Sequence, residues 1–223
     1  MTQGGRFVAA KQRPLPVIIM ADVSGSMDVD GKIDVLNQSI AEMYRAFATA
    51  DAGRGAIHIA VVAFGGDQAY EHQPLTSATE ARWTDMAAVG RTPLGAAFEL
   101  VTEMLTDEQV VPVRAFHPAL ILVSDGEPTD EWEEPLERLL ASPRGRSASR
   151  LAVGIGSELT DRARAVLRRF IADDEQDVFD ARDVDRIPAA FRWVTVTVTR
   201  RVNSARPNEV GVIPPDELAE FEA

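Results

Sequence analysis

The stretch LPVIIMADVSGSM, residues 15–27, decides the fold, because it joins a continuous apolar run directly to a polar loop. The apolar run covers residues 16–21 and stops abruptly at Asp22. A run that is apolar at every position is typical of a strand with both faces buried in a parallel sheet. The sequence therefore predicts a central strand whose carboxyl end carries a carboxylate.

A second run of the same kind, ALILVS at residues 119–124, stops at Asp125. Segments rich in apolar and β-branched residues predict four further strands, at 56–64, 70–75, 151–156 and 177–180. The strand at 70–75 follows a glycine turn closely, which favours an antiparallel edge strand.

Apolar residues at helical spacing predict helices between these strands, over 32–50, after Thr92, after Asp130 and over 161–171. Strands that alternate with helices form a parallel sheet that is covered on both faces. The predicted fold is a three-layer, doubly wound, Rossmann-like α/β fold. Its six-stranded sheet is mostly parallel, with one antiparallel edge strand.

Two of the helix starts carry local capping signals. Thr92-Pro93 predicts an N-cap threonine followed by proline at the first helical position. Asp130 with Glu133 has the spacing of a capping box for the next helix.

The composition narrows the classes of function. The 223 residues carry 23 Lys and Arg against 35 Asp and Glu, a formal net charge of −12, so we expect no nucleic-acid partner. The absence of Cys excludes thiolate chemistry and a Cys-based zinc site. No apolar run has the length of a membrane helix or a signal-peptide core. We therefore expect no membrane partner and a cytoplasmic location.

The expected organisation is one domain with two flanking segments. Residues 1–14 are predicted to be an N-terminal extension and residues 15–202 the domain. Residues 203–223 contain three Pro and several acids, which predicts a C-terminal tail.

A set of oxygen donors lies at the predicted strand and helix ends. Its members are Asp22, Ser24, Ser26, Thr92 and Asp125. Ligands of open α/β sheets bind beyond the carboxyl ends of the strands, where the strand order reverses. Carboxylates, hydroxyls and water suit Mg²⁺, and also Mn²⁺ or Ca²⁺. The sequence predicts one hard divalent cation with an open position that a carboxylate could fill.

Each donor also has a plainer interpretation. The pattern D-x-S-x-S, taken alone, fits an ordinary polar turn between a strand and a helix. Thr92 can serve only as a helix cap, although a hydroxyl has enough hydrogen-bonding capacity for both roles. Asp125 can be a turn residue in Ser-Asp-Gly.

The five donors, in this order, resemble the metal-ion-dependent adhesion site of von Willebrand A domains, D-x-S-x-S…T…D. The resemblance implies that Ser24 and Ser26 bind the metal directly. It also implies that Asp22 and Asp125 act largely through water or by bonding the ligands, and that Thr92 switches between direct and water-mediated contact. The implied function is a protein-binding module whose metal coordinates an acidic residue of a partner.

Within that family, the segment DGEPTD at residues 125–130, followed by Trp132, looks most like bacterial TerY-type proteins associated with tellurium-resistance clusters. That likeness implies a partner in a kinase- or phosphatase-containing signalling assembly. It also implies a C-terminal helix, whereas the alternation of WVTVTVT, residues 193–199, favours a strand. We follow the resemblance here and expect a helix.

Three residues near the donors are candidates for the rim that contacts a partner. Many relatives have two glycines before the threonine, whereas this chain has Gly90 and Arg91. Arg91 could narrow the approach of a ligand to the metal, or form a salt bridge with an acidic ligand. Glu127 and Trp132 follow Asp125 closely, and Trp132 is either a partner anchor or a packing residue.

The main alternative is a Mg²⁺-dependent phosphatase or phosphotransferase with Asp22 as the nucleophile. Enzymes of that design commonly carry a second Asp two residues later, where this chain has Ser24. No lysine is evident at a matching place, and no His stands near the donors. The sequence therefore favours a binding module over an enzyme.

Overall fold

The predicted central strand, β1 (Leu15–Asp22), is buried along its whole length in a computed structural model that describes residues 13–51, 56–157 and 159–218. It lies third in a six-stranded sheet of order β3-β2-β1-β4-β5-β6. The other strands are β2 (Ile57–Gly65), β3 (Gln68–Ser77), β4 (Ala119–Ser124), β5 (Ser149–Ile155) and β6 (Phe179–Ala181). Every pairing is parallel except that of β2 with β3. The predicted fold class is confirmed.

Helices cover both faces of this sheet. They are α1 (Lys32–Asp51), α2 (Leu94–Thr106), α3 (Glu133–Ala141), α4 (Pro143–Ser147), α5 (Asp161–Ile171) and α6 (Ile187–Asn203). Successive side chains of a strand point to opposite faces. Thus Val17 and Ile19 pack with α1 and α6, whereas Ile18 and Met20 pack with α2, α3 and α5. This two-sided burial explains why β1 is apolar at every position.

Helix α6 contains the segment WVTVTVT, whose local alternation favours a strand. Trp193, Val194, Thr197, Val198 and Arg201 are its buried residues from position 193 onward, and their spacing is helical. The Thr195 hydroxyl donates to the carbonyl of Phe191 one turn earlier at 2.7 Å. This hydrogen bond gives the hydroxyl a partner within the helix. The helix implied by the family resemblance is confirmed, and the strand suggested by the local pattern is wrong.

The segment after α6 lies against the domain over its described part, residues 204–218. The Trp193 indole donates to the carbonyl of Ile213 at 2.7 Å, and the Ile213 side chain is buried. The Asn208 side chain accepts a hydrogen bond from the backbone of His117, just before β4. This segment therefore lies at the amino-terminal end of β4.

The predicted boundaries of the extension (1–14), the domain (15–202) and the tail (203–223) stay predictions. Most of the extension and the last five residues of the tail lie outside the described residues. No helix in the described part of the chain is long and apolar enough to span a membrane.

The two predicted helix caps differ from those observed. Helix α2 begins at Leu94, so Thr92 lies two residues before it, and Pro93 takes the N-cap position. The cap hydrogen bonds come from Asp130, whose Oδ1 and Oδ2 accept from the backbone N–H groups of Gly95 and Ala96 at 3.0 Å each. The prediction of Thr92 as the N-cap is therefore wrong.

The predicted capping box of Asp130 with Glu133 is also wrong, because the Asp130 carboxylate faces α2 and not its own helix. Within the described residues, no side-chain hydrogen bond caps α3, which follows Trp132. A carboxylate at the start of a helix satisfies free N–H groups and interacts favourably with the helix dipole. The loop before α3 thereby fixes the start of α2, which lies 35 residues earlier in the chain.

Asp130→Ala should lower the free energy of unfolding by about 1 kcal/mol, because two N–H groups of α2 lose their acceptor. Glu133→Ala is the matched control, since its exposed side chain begins α3 and should cost less than about 0.5 kcal/mol. Urea denaturation of both variants measures the difference. A larger loss in the free energy of unfolding for Glu133→Ala than for Asp130→Ala would support the capping box instead.

Candidate metal centre

The two strand-end acids meet because β1 and β4 are parallel neighbours. Ala21 pairs in register with Val123, so Asp22 at the end of β1 and Asp125 just after β4 lie at the same edge of the sheet. The chain proceeds from β1 to β2 on one side, and β4 lies on the other side. The strand order therefore reverses at this point, which is the usual ligand position of a doubly wound sheet.

The Asp22 side chain orients the loop and does not face solvent. Its exposed fraction is 0%. Oδ1 accepts from the backbone N–H of Ser24 at 2.8 Å, and Oδ2 accepts from the Ser124 hydroxyl at 2.6 Å. Both oxygens are thus engaged, one by the loop after β1 and the other by the end of β4.

The two serines and Asp125 form a connected row of oxygen atoms. The hydroxyls of Ser24 and Ser26 lie 3.0 Å apart, and the Ser26 hydroxyl donates to Oδ1 of Asp125 at 2.7 Å. Ser24 is buried, whereas Ser26 is exposed and opens the row to solvent. A 3-10 segment, Gly25–Gly31, carries Ser26 towards α1.

The spacing of these oxygens fits a hard divalent cation. Adjacent oxygens of an octahedron with Mg²⁺–O bonds of about 2.0–2.1 Å lie about 2.9 Å apart, close to the distances within the row. Among the described residues, no group of three or more His, Cys, Asp or Glu could hold a metal ion. A metal at this edge would therefore depend on hydroxyls as well as carboxylates, which is the donor set expected from the sequence.

Thr92 lies on a third loop that joins the other two. The N–H of Gly25 donates to the carbonyl of Gly90 at 2.9 Å, and Thr92 and Thr129 are joined by two hydrogen bonds. A Cβ placed on Gly126 would lie 4.0 Å from the Thr92 hydroxyl, so this hydroxyl borders the loop after β4. The structure thus brings all five predicted donors to one edge of the sheet.

The Gly90-Arg91 pair is held against the turn between β2 and β3. Gly90 has a positive φ of 62°, and a Cβ there would lie 2.6 Å from the Cα of Gly66. The Arg91 N–H donates to the carbonyl of Gly66, and the Arg91 side chain is exposed. The departure from a glycine pair is accommodated because only the first position is crowded.

Glu127 and Trp132 lie on the α5 side of the donors. The Glu127 carboxylate accepts from the Thr160 hydroxyl at 2.7 Å, just before α5. Trp132 is half-buried, with the Arg169 guanidinium 5.1 Å from its ring centre. Both residues line a cavity of about 400 Å³ with Pro128, Arg162, Ala165, Val166 and Arg169. Two of the three predicted rim residues therefore share one surface.

Two residues that contact the candidate donors were not identified from the sequence, Ser124 and Lys32. Ser124 binds Asp22, and its only signal was a hydroxyl at the end of an apolar run. The Nζ of Lys32 lies 2.8 Å from Oδ2 of Asp125, although its sequence position suggested only the first residue of an amphipathic helix. The contact between Lys32 and Asp125 was not predicted from the sequence. Lys32 pairs with Asp125, however, and not with the Asp22 of the enzyme hypothesis.

Burial raises the pKa of Asp22 to about 6, although hydrogen bonds from Ser124 and Ser24 favour the ionised form. The charge of Asp125 raises it further. Holding Asp22 ionised at neutral pH therefore costs free energy in the folded protein, and a cation beside it would offset that cost.

The chain belongs to the von Willebrand factor type A domain family, whose model matches residues 17–192. Domains of this family are adhesion and protein-interaction modules, and many depend on a metal. Among curated proteins, none matches the chain.

Several solved structures share the fold. The vWF domain of the type V pili tip protein Mfa5 from Porphyromonas gingivalis has a TM-score of 0.67 and 11% identity, over 88% of this chain and 99% of that one. The ArnB paralog VWA2 from Sulfolobus acidocaldarius has a TM-score of 0.60 and 16% identity, over 82% of this chain. The pilus adhesin SpaC from Lactobacillus rhamnosus GG has a TM-score of 0.63 and 13% identity, over 83% of this chain.

The matched region covers 46% of the VWA2 chain and 30% of the SpaC chain, so this chain corresponds to part of each. At these identities the likeness establishes the fold.

Ser24→Ala/Ser26→Ala should bind Mg²⁺ or Mn²⁺ far more weakly than the wild type. The loss should exceed the roughly 10–100-fold that removal of an outer-shell partner costs, because direct donors are lost. Calorimetric titration measures the affinity. Ser77→Ala is the control, because Ser77 is half-buried at the opposite end of the sheet, away from the candidate donors. Equal metal affinity in the double variant and the wild type would refute the assignment.

Asp22 should make the metal-free protein less stable as the pH rises. The folded pKa of about 6 lies above the ordinary 3.8, so the folded state binds the proton more tightly. The free energy of unfolding then falls between about pH 4 and pH 6, by up to about 3 kcal/mol. Asp22→Asn, which stays neutral, should lose this part of the pH dependence in urea denaturation with EDTA. Identical pH profiles would contradict the role of Asp22.

Proposed function

We propose that the chain is a binding module that holds one hard divalent cation at the sheet edge and uses it to bind an acidic residue of a protein partner. The observation that carries this proposal is the row of Ser24, Ser26 and Asp125 oxygens, with separations of 3.0 and 2.7 Å, at the reversal of the strand order. Mg²⁺ is the proposed ion, with Mn²⁺ or Ca²⁺ as alternatives.

The residues would divide the work by their positions. Ser24 and Ser26 would hold the ion directly, and Thr92 would border it from the third loop. Asp22 and Asp125 would act on the serines, because each already accepts a hydrogen bond from one of them. When bound, the ion would supply positive charge and a position that a carboxylate can fill. Mg²⁺ in proteins usually keeps several waters, so such a position is ordinary.

One carboxylate on a metal is a modest interaction, so neighbouring surface must contribute to the binding. Arg91 is the proposed rim contact on the β2–β3 side, where its exposed cation could pair with the partner's acids. Glu127 and Trp132 are the proposed contacts on the α5 side. On that side the guanidinium of Arg169 lies over the Trp132 ring and pairs with Glu137, which holds the ring in place.

The geometry supports a binding module over an enzyme that uses Asp22 as a nucleophile. A nucleophilic carboxylate must reach its substrate, whereas Asp22 is fully buried and both of its oxygens accept hydrogen bonds. The His72 ring contacts the backbone of Thr84 beside β3, and His117 precedes β4 at the opposite end of the sheet. Neither offers a general base at the donors.

The biological setting rests on the sequence resemblance. The likeness to TerY-type proteins supports a role in a cytoplasmic tellurium-resistance or stress assembly. The partner would belong to a signalling complex that contains a kinase or a phosphatase. The net charge of −12 supports a protein partner over a nucleic acid or an anionic membrane.

A pull-down from cells of the source organism, in Mg²⁺ and again in EDTA, tests the proposed function. The partner should be retained in Mg²⁺ and lost in EDTA. Asp22→Ala and Thr92→Ala should each weaken the complex by at least about tenfold, as expected for residues that support a metal site.

Arg206→Ala is the control for that experiment. Its side chain is exposed beside Asn208, at the amino-terminal end of β4, and the variant should bind as the wild type does. A complex that survives EDTA would contradict the proposal. Phosphatase or ATPase turnover that survives purification and disappears in Asp22→Asn would favour the enzyme instead.

A further inference from the structure

We propose that Lys32 is a built-in counter-cation of the metal centre, which competes with the divalent ion for the negative charge of Asp125. It lowers the affinity of the site for the ion and stabilises the fold when the ion is absent. The part of this inference that concerns the ion rests on the proposed function.

The Lys32 ammonium is buried at the donors. Its Nζ donates to Oδ2 of Asp125 at 2.8 Å and approaches the carbonyl of Ser26 at 3.4 Å. The side chains of Lys32 and Asp125 are 8% and 1% exposed. A surface ion pair contributes little because water screens it, whereas a buried pair is screened far less. The charge of Lys32 is therefore screened less by water than that of a surface lysine, and it acts directly on the donors.

The space for this ammonium is provided by Gly156, directly after β5. Gly156 has a φ of 87°, and its N–H is fixed to the carbonyl of Ala181. A Cβ at Gly156 would lie 3.2 Å from both Cε and Nζ of Lys32. A side chain at position 156 would therefore crowd the Lys32 ammonium, which the glycine leaves room for. The sequence contains only two lysines, Lys11 and Lys32, and its other basic residues of this kind are arginines.

The Asp125 carboxylate is shared between two tasks. Oδ1 accepts from the Ser26 hydroxyl, which belongs to the row of donors, while Oδ2 is held by Lys32. With both acids ionised, Asp22, Asp125 and Lys32 together carry one negative charge. A divalent ion would turn this into one positive charge, and a partner carboxylate would then bring it to zero. Without Lys32, the ion alone would neutralise the acids and leave no surplus charge for the partner.

Four proteins test this inference: the wild type, Lys32→Met, Lys32→Met/Asp125→Asn, and the control Arg206→Met. Methionine keeps the unbranched shape of the lysine stem without its charge. Arg206→Met makes the same change in net charge at the opposite end of the sheet. Mn²⁺ affinity is measured by calorimetry, and thermal unfolding is recorded in EDTA and in saturating Mn²⁺. A variant that does not fold in EDTA is purified in Mn²⁺ and titrated against a competing chelator.

Lys32→Met should bind Mn²⁺ at least about tenfold more tightly than the wild type, because a like charge close to the ion is removed. In EDTA it should melt at a lower temperature, and saturating Mn²⁺ should close the gap. The double variant should recover the melting temperature in EDTA, since the neutral amide that replaces the Asp125 carboxylate needs no counter-cation. Arg206→Met should follow the wild type in each measurement.

The outcomes separate this inference from the proposed function. Mn²⁺ binding by Lys32→Met that equals or falls below that of the wild type would overturn the role of Lys32 and leave the proposed function standing. Binding by Lys32→Met but not by the wild type would support the role of Lys32 and overturn the proposed function. If neither protein binds Mn²⁺, both are overturned.

Discussion

The parallel pairing of β1 with β4 is the constraint on which the rest of the structure depends. Both strands are buried on their two faces, so the hydrophobic core fixes their register. That register places Asp22 and Asp125 at the same edge of the sheet, where both acids are buried. Packing of the core therefore desolvates two carboxylates, and the loops at this edge must compensate for that cost.

The loops and the start of α1 compensate by giving each carboxylate oxygen a hydrogen-bond donor. Asp22 accepts from the Ser24 backbone and the Ser124 hydroxyl, and Asp125 accepts from the Ser26 hydroxyl and the Lys32 ammonium. Removal of one partner from such an arrangement leaves a buried charge uncompensated, which is costly. Three of these four hydrogen-bond donors are neutral, and only Lys32 is charged. With both acids ionised, this edge of the sheet therefore keeps a negative charge that favours a cation.

Most of the fold, and the position of the five candidate donors at one edge of the sheet, could be predicted from sequence because their signals are local or belong to a family pattern. The unbroken apolar runs at residues 16–21 and 119–124 indicate central strands, since burial on both faces leaves no polar positions. The donors follow those strands directly, apart from Thr92. For helix α6 the local alternation of WVTVTVT favoured a strand, and the helix was predicted from the family resemblance and from the residues on either side of that segment. Alternating Val and Thr residues give a strand pattern in sequence although tertiary packing places them in a helix here.

The remaining features depend on contacts between distant parts of the chain. The Asp130 carboxylate caps α2, and the sequence suggested a cap for the next helix because only that helix is nearby in sequence. Lys32 begins helix α1, and a lysine at the start of an amphipathic helix would ordinarily lie in solvent. Its burial follows from the missing Cβ of Gly156 on a different strand end. Such pairings arise only when the sheet has assembled.

The most direct measurement is anomalous diffraction from crystals soaked in Mn²⁺. The account predicts one anomalous peak within coordination distance, about 2–2.3 Å, of the Ser24 and Ser26 hydroxyls. A peak elsewhere on the protein, with no density at the serines, would contradict the assignment of this sheet edge as the metal centre.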